Sequence, residues 1–243
     1  ERLAAKGVRL IITVDNGISA ADEIASCYEL GMDVVVTDHH IPGERLPECE
    51  AVVCHTVPSS RYPCGILCGA GIAFKLLHAL AGLDAAMEYV AFAGLATVAD
   101  VVPLVDENRI LVSLGLDALN SGRCAVGLSR MAQSIANVRK PYTSSNLGFS
   151  IAPRLNASGR MSDASLAVEL FLEQSVPRMD EIIAELNRLN GLRQQEEADI
   201  LSSAVEMLSD MNLSDTRVIA LSSPDWNPGV IGVAASRISE MFY

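Results

Sequence analysis

Val8-Arg9-Leu10-Ile11-Ile12-Thr13-Val14 leads into Asp15-Asn16-Gly17, and further on Val34-Val35-Val36-Thr37 leads into Asp38-His39-His40. Both runs are short, apolar and rich in β-branched residues, and both end in turn-forming or charged residues, so they read as strands. Between them, residues 20–30 carry helical spacing and stop at Gly31. Strand, helix and strand at this length predict a βαβ unit with parallel strands. Such strands are buried on both faces and read as continuous apolar runs, as these do. Ala51-Val52-Val53, after a loop carrying Pro47 and Glu48, is a third strand candidate.

Downstream the pattern turns helical, over 71–81, 85–98, 109–120 and about 127–137, and Ser162-Asp163 caps a helix running through Glu173. Pro177 opens a long polar helix to about Ser209, with Ile182, Leu186, Leu189 and Leu192 along one face. Roughly 30 helical residues span about 45 Å, a natural connector between domains. After it, 217–221 reads as a strand, 224–229 as a turn, and Val230 begins another helix. The expected fold class is α/β: a parallel sheet with flanking helices, a long connector helix and the start of a second α/β domain. The expected boundaries are 1–177, 178–211 and 212–243. The first residues look like the end of a helix and the last stop inside one without a cap, so both ends read as truncations.

A net charge of −12 argues against broad, non-specific coating of nucleic acid, which needs clustered Lys and Arg. It is compatible with one basic groove beside carboxylates that hold cations. No apolar run approaches the roughly 18 residues that span a bilayer, and the opening residues lack a signal-peptide layout. A cytoplasmic protein is expected. Cys49, Cys54, Cys64 and Cys68 lie close together, but C-x4-C-x9-C-x3-C matches no strong zinc pattern, and free thiols are the plainer reading.

The chemistry concentrates at the strand ends. Asp15 and Asp38 each follow the carboxyl end of a predicted parallel strand, where ligand sites of open α/β sheets form. Asp15 should therefore converge with Asp38-His39-His40. Carboxylates and imidazole without thiolates suit Mn²⁺ or Mg²⁺, and the imidazole tilts the choice toward Mn²⁺. Asp-Asn-Gly is also a common turn sequence, so Asp15 alone says little. Two adjacent imidazoles beside a carboxylate have no packing rationale. Asp100, inside the apolar 96–104 segment, is costly unless paired or metal-bound, although an Asp capping the next segment would look the same.

These residues carry a resemblance. Val14-Asp15-Asn16-Gly17-Ile18-Ser19 resembles the second motif of the DHH phosphoesterase family, Thr37-Asp38-His39-His40 its third, and 96–104 with Asp100 its fourth. Residues 68–76 resemble the Gly-rich helix start between them. The 149–161 segment, containing Ala152-Pro153-Arg154-Leu155-Asn156-Ala157-Ser158-Gly159-Arg160-Met161, resembles the mark of the family's single-stranded-DNA exonuclease branch. Residues 226–237 resemble the start of the DHH-associated domain. The resemblance implies a Mn²⁺-dependent (or Mg²⁺-dependent) 5′→3′ exonuclease on single-stranded DNA, used in recombination and repair. It makes Asp15, His39 and Asp100 the expected metal ligands, with Asp38 and His40 supporting the site by orienting ligands or helping to hold a second ion. It also implies two-metal hydrolysis. Single-stranded DNA is the expected partner, with a single-strand-binding protein and a helicase as candidate partners, no membrane, and a monomeric state.

Arg154, Asn156, Ser158 and Arg160 form a donor-rich patch around Gly159. Guanidinium matches phosphate bidentately, and a glycine lets backbone approach an anion. Two exposed loop arginines are the plainer reading. Ser236 and Arg237 sit near an expected helix start suited to a second phosphate, unless Arg237 pairs with Glu240. There are three departures from the family pattern. The first motif, D-x-D, would lie upstream of Glu1, so the chain as it stands is expected to have little activity. Cys54-His55 stands where relatives show Asn-Pro, and Asn227 where many have His. Two alternatives stay open: a phosphodiesterase for oligoribonucleotides or cyclic dinucleotides, and an inactive replication-complex scaffold of the same fold.

Overall fold

The computed structural model describes residues 1–209, 211 and 216–242. A 3-10 turn at Ala4–Lys6 precedes β1 (Leu10–Val14), α1 (Ala21–Glu29), β2 (Asp33–Thr37) and β3 (Ala51–Val53). The strands form one parallel sheet in the order β1-β2-β3, with Val14 opposite Thr37 and Thr37 opposite Val53. That register places the residues after all three strands along one sheet edge. The ladder extends one step further: Asp15 N–H donates to the Thr37 carbonyl at 3.0 Å, and Asp38 N–H to the Val53 carbonyl at 3.1 Å.

Val34 and Val36 are fully enclosed, packed against Ile24 of α1. The expectation that β1 is buried on both faces needs correction, because Leu10, Ile12 and Val14 are 46–50% exposed. Among the described residues β1 pairs only with β2. A run of β-branched residues does not distinguish edge from centre.

The helical part begins with α2 (Gly69–Ala81), α3 (Leu83–Met87), α4 (Val90–Ala99), α5 (Asp106–Ser121) and α6 (Val126–Gln133). The single helix expected over 85–98 is therefore two. The chain breaks around Tyr89, so that α4, apolar nearly all round, enters the core with Val90, Ala91, Ala93, Gly94, Leu95 and Thr97 buried. Gly94 and Gly115 let α4 and α5 touch backbone to backbone. A Cβ on Gly94 would fall 2.9 Å from the Leu111 carbonyl oxygen, and one on Gly115 2.9 Å from that of Val90.

A capping box at Thr143 starts α7 (Ser144–Asn146), which runs through a π-helical turn (Leu147–Ile151) into α8 (Ala152–Met161). The segment 152–161, where two exposed loop arginines are the plainer reading of the sequence, is helical. Then come α9 (Ser165–Leu172), the 34-residue α10 (Val176–Ser209) and α11 (Ile231–Phe242). α10 packs on α9 and α11 and buries Ile182, Leu186, Leu189 and Ile200, while Leu192 stays 43% exposed. The strand expected over 217–221 does not form. No described strand lies beside it, and an extended segment needs a partner for its ladder bonds. The expected boundary at 211/212 adjoins residues 212–215, which lie outside the described residues.

The chain divides into two compact units, Glu1–Ser129 with Ala136–Ala152, and Arg130–Ile135 with Pro153–Tyr243. The sheet belongs to the first. In the second, Ile200, Val230 and Ala234 form a core with Met161, Leu201 and Trp226.

Candidate metal centre

Asp15 leaves β1 with a left-handed backbone (φ 66°), a conformation that aspartate tolerates better than most residues. Gly17 follows at φ 109°, and the Thr13 hydroxyl donates to the Asn16 carbonyl at 2.7 Å, locking the turn. The first residue of α2, Gly69, abuts this turn so closely that a Cβ there would overlap the Asp15 carboxylate. The carboxylate therefore sits at a helix N-terminus, where the dipole favours negative charge.

Asp38 is 1% exposed and fully engaged. Its Oδ2 accepts the Ile18 N–H at 2.9 Å, and its Oδ1 accepts the backbone N–H of His39 at 2.7 Å and of His40 at 3.2 Å. The His40 Nδ1 lies 2.7 Å from the same Oδ1. Burial pushes the Asp38 carboxyl up, but the hydrogen bonds from Ile18, His40 and His39 outweigh it and hold it below its ordinary range. The bond to Asp38 in turn raises His40 against the opposing effect of burial, helped by the charges of Asp38, Asp15 and Asp100. Asp38 thus orients His40: with Nδ1 donating to the carboxylate, Nε2 carries the lone pair of the neutral ring.

The His39 Nε2 lies 3.0 Å from Asp15 Oδ1 and 3.5 Å from Asp100 Oδ2. Asp100 caps the C-terminal end of α4 and is followed by Val101 at φ 55°. Two strand ends and one helix end thus bring Asp15, His39 and Asp100 together. Asp15, His39 and His40 also offer ligand atoms that all lie within 4.8 Å of one another. His40, expected to orient ligands or help hold a second ion, is thereby inside the group that could hold an ion. Carboxylate oxygens and imidazole nitrogens, with no thiolate among them, fit Mn²⁺ or Mg²⁺. Sequence reasoning missed the contact of Gly69 with Asp15. The signal was the Gly-Ala-Gly at the start of α2, which marks a close approach without naming its target.

The expected phosphate-binding residues lie in the second unit. Arg154 is half-buried on α8, its Nε donating to Asn187 Oδ1 at 2.8 Å, and burial lowers its pKa. Asn156 is exposed. The Ser158 hydroxyl is buried and donates to the Leu155 carbonyl at 2.8 Å. Gly159 is inside the helix, where its backbone is committed to helical bonding rather than left open to an anion. Arg160 is exposed, and its Nη1 donates to the Gly229 carbonyl at 2.9 Å. Ser236 and Arg237 are mid-helix in α11 rather than at its start, so the orphan N–H groups are not theirs. The Ser236 hydroxyl turns back to the Gly232 carbonyl, and Arg237 pairs with Glu197 of α10 at 3.3 Å, not with Glu240. Asn227 Oδ1 accepts the Gly229 N–H at 2.8 Å, shaping the turn before α11. Cys54, Cys64 and Cys68 are buried free thiols, and Cys49 is half-buried. Among the described residues no helix is long and apolar enough to cross a membrane.

Residues 2–99 match the model of the DHH family, N-terminal domain. The chain is 40% identical over 238 residues to the single-stranded-DNA-specific exonuclease RecJ of Bacillus subtilis, covering 98% of this chain and 30% of that protein. It is 38% identical to that of Dickeya dadantii, covering 99% and 45%. The chain thus spans less than half the length of these curated relatives. It superposes on a crystal structure of exonuclease RecJ bound to manganese with a TM-score of 0.83 at 34% identity, covering 99% of this chain and 61% of that one. It superposes on Thermus thermophilus RecJ in complex with Mn²⁺ with a TM-score of 0.81 at 34% identity, covering 99% and 36%. With Asp15, His39 and Asp100 gathered at one sheet edge, this chain carries the N-terminal domain of the DHH family over residues 2–99.

Proposed function

We propose that the protein is a Mn²⁺-dependent exonuclease that hydrolyses phosphodiester bonds of single-stranded DNA from the 5′ end, in recombination and repair. The observation that carries this reading is the meeting of Asp15 and Asp100 on one imidazole nitrogen of His39, beside a His40 oriented by buried Asp38. Asp15, His39 and Asp100 are the proposed ligands, His40 is available beside them, and Asp38 fixes the orientation of both histidines through their backbone and side-chain N–H groups. Bound there, Mn²⁺ would supply Lewis-acid polarisation of a phosphate and a more acidic water. Arg154 and Arg160 are the proposed phosphate contacts, because exposed or half-exposed guanidinium suits phosphate oxygens. Asn156, Ser158, Gly159, Ser236 and Arg237 shape or extend that patch.

Support for the substrate comes from the 34–40% identity to exonucleases named for single-stranded DNA. An enzyme restricted to unpaired strand needs its substrate opened and kept open. A helicase and a single-strand-binding protein are therefore its proposed partners, with the protein itself a cytoplasmic monomer. The test is to assay the full-length protein with Mn²⁺ on 5′- and 3′-labelled single strands, beside duplex DNA, short RNA and a cyclic dinucleotide. Stepwise release from the 5′ end of single-stranded DNA is expected. Preference for RNA or the cyclic dinucleotide would replace this reading with the phosphodiesterase one, and no hydrolysis of any substrate would make the protein a scaffold.

A further inference from the structure

Beyond the end of β3, beside the metal centre, lies a cavity of about 360 Å³ walled by Val52, Cys54, Val57, Leu67 and Ile72, with Tyr62 and Lys75 also lining it. That volume falls within the range of small-molecule sites. Cys54 of its wall ties it to the centre, with its thiol 3.7 Å from the His40 carbonyl oxygen, which also accepts the hydroxyl of neighbouring Thr56 at 2.6 Å. The opposite wall is tied to the other half of the centre, because Leu67 and Cys68 run straight into Gly69, the residue against Asp15.

The chemistry of the walls selects an occupant. Lys75 Nζ donates to Glu107 Oε1 at 2.9 Å, the Tyr62 hydroxyl donates to Glu107 Oε2 at 2.6 Å, and the ammonium stands 5.9 Å from the centre of the Tyr62 ring. Glu107 thus neutralises the lysine and fixes the ring at the cavity wall. Arg61 remains as a single exposed cation, too little for a phosphate site when phosphate sites draw on several donors. What the cavity offers is apolar side-chain surface and an aromatic face. His55 donates from Nε2 to the Leu67 carbonyl at 2.8 Å, which leaves the lone pair on Nδ1. That nitrogen is buried and has no partner among the described residues. A buried acceptor without a donor is costly, and a ring shift that presented it to a ligand N–H would remove the cost.

We infer that the cavity between β3, Tyr62 and α2 is a subsite for one unstacked nucleobase of the strand whose backbone is cut at the metal centre. The inference rests on the nuclease reading of that centre and extends it. A planar heteroaromatic ring matches the apolar walls and can lie against Tyr62, and its amino or imino hydrogen suits the His55 acceptor. Only an unpaired base can turn out of the strand to enter, so the subsite itself favours single strands.

The test uses the full-length protein with Mn²⁺ and a series of single-stranded oligonucleotides, each with one abasic residue at a different position from the 5′ end. One position is expected to slow release by roughly five- to a hundredfold, the range set by base–aromatic stacking. Tyr62→Ala should flatten that position dependence, and Tyr62→Phe, which keeps the ring, should retain it. Uniform rates across the series in the active wild-type enzyme would overturn the base subsite while leaving the nuclease reading intact. A position effect that survives Tyr62→Ala would equally overturn it. Absence of hydrolysis on the unmodified strand would overturn the nuclease reading and the subsite with it.

Discussion

The carboxylate of Asp15 lies against Gly69 with no room for a side chain between them: a Cβ at Gly69 would occupy the space of the Asp15 Cβ, Cγ and Oδ1. The entry angle of α2 and the position of a proposed metal ligand are therefore one structural feature. Gly69→Ala should displace Asp15 and weaken Mn²⁺ binding by about tenfold or more, comparable to the loss of a supporting contact. The substitution is at the first turn of a helix, where Ala is otherwise favourable, so the fold should persist. Calorimetric Mn²⁺ titration beside a melting curve checks this, and unchanged affinity would show that Asp15 relaxes freely.

The two histidines should separate. His39 is 15% exposed and shared between two carboxylates, whereas His40 is 59% exposed and held by one. His39→Ala should reduce Mn²⁺ affinity and turnover together, by more than the roughly 10–100-fold typical of supporting residues. His40→Ala should stay within that range. Parallel Mn²⁺ titrations of the two variants decide it, and a fully active His39→Ala protein would remove His39 from the ligand set.

Arg160→Lys should not act as a conservative change. Lysine keeps the charge but loses the planar fork, and with it the geometry that now reaches the Gly229 carbonyl. Weaker DNA binding or slower turnover with unaltered Mn²⁺ affinity is expected. Kinetics on a 5′-phosphorylated oligonucleotide would reveal it. Wild-type kinetics would leave Arg160 only the role of holding Gly229.

The Tyr62–Glu107–Lys75 group makes a stability prediction with a definite sign. Burial pushes the Glu107 carboxyl up, but the bonds from Tyr62 and Lys75 outweigh it and hold it below 4.5. A depressed folded-state value means its contribution is present above the unfolded value and disappears as pH falls through the folded one. At 33% side-chain exposure the contribution should be no more than about 1 kcal/mol. Urea midpoints of the wild type and Glu107→Gln should differ at pH 7 and converge as the pH drops below about 4.5. A gap that widens on acidification would contradict the assignment.

Periodicity and strand-end position were enough to place the βαβ unit, the third strand, the long α10 and the convergence of Asp15 with Asp38-His39-His40. These are local properties: a β-branched run of this length has few alternatives, and parallel pairing puts successive strand ends side by side. Asp100 was legible for a different reason, as one charge in an apolar segment.

Three-dimensional packing decided the remainder. β1 carries the same apolar signature as β2, yet among the described residues only β2 has a strand on each side, because burial depends on neighbours rather than on a strand's own residues. The 217–221 run has strand composition but no described partner, and it forms no ladder. Ser158 and Arg237 looked like substrate contacts because donor chemistry can be read from residue type. Whether a donor is spent internally, on the Leu155 carbonyl or on Glu197, depends on side chains that fold back from elsewhere in the chain. In the same way the pairing of His40 with Asp38, which leaves the His40 Nε2 turned away from that carboxylate, follows from a rotamer and a buried carboxylate. Neither is encoded in the letters Asp-His-His alone.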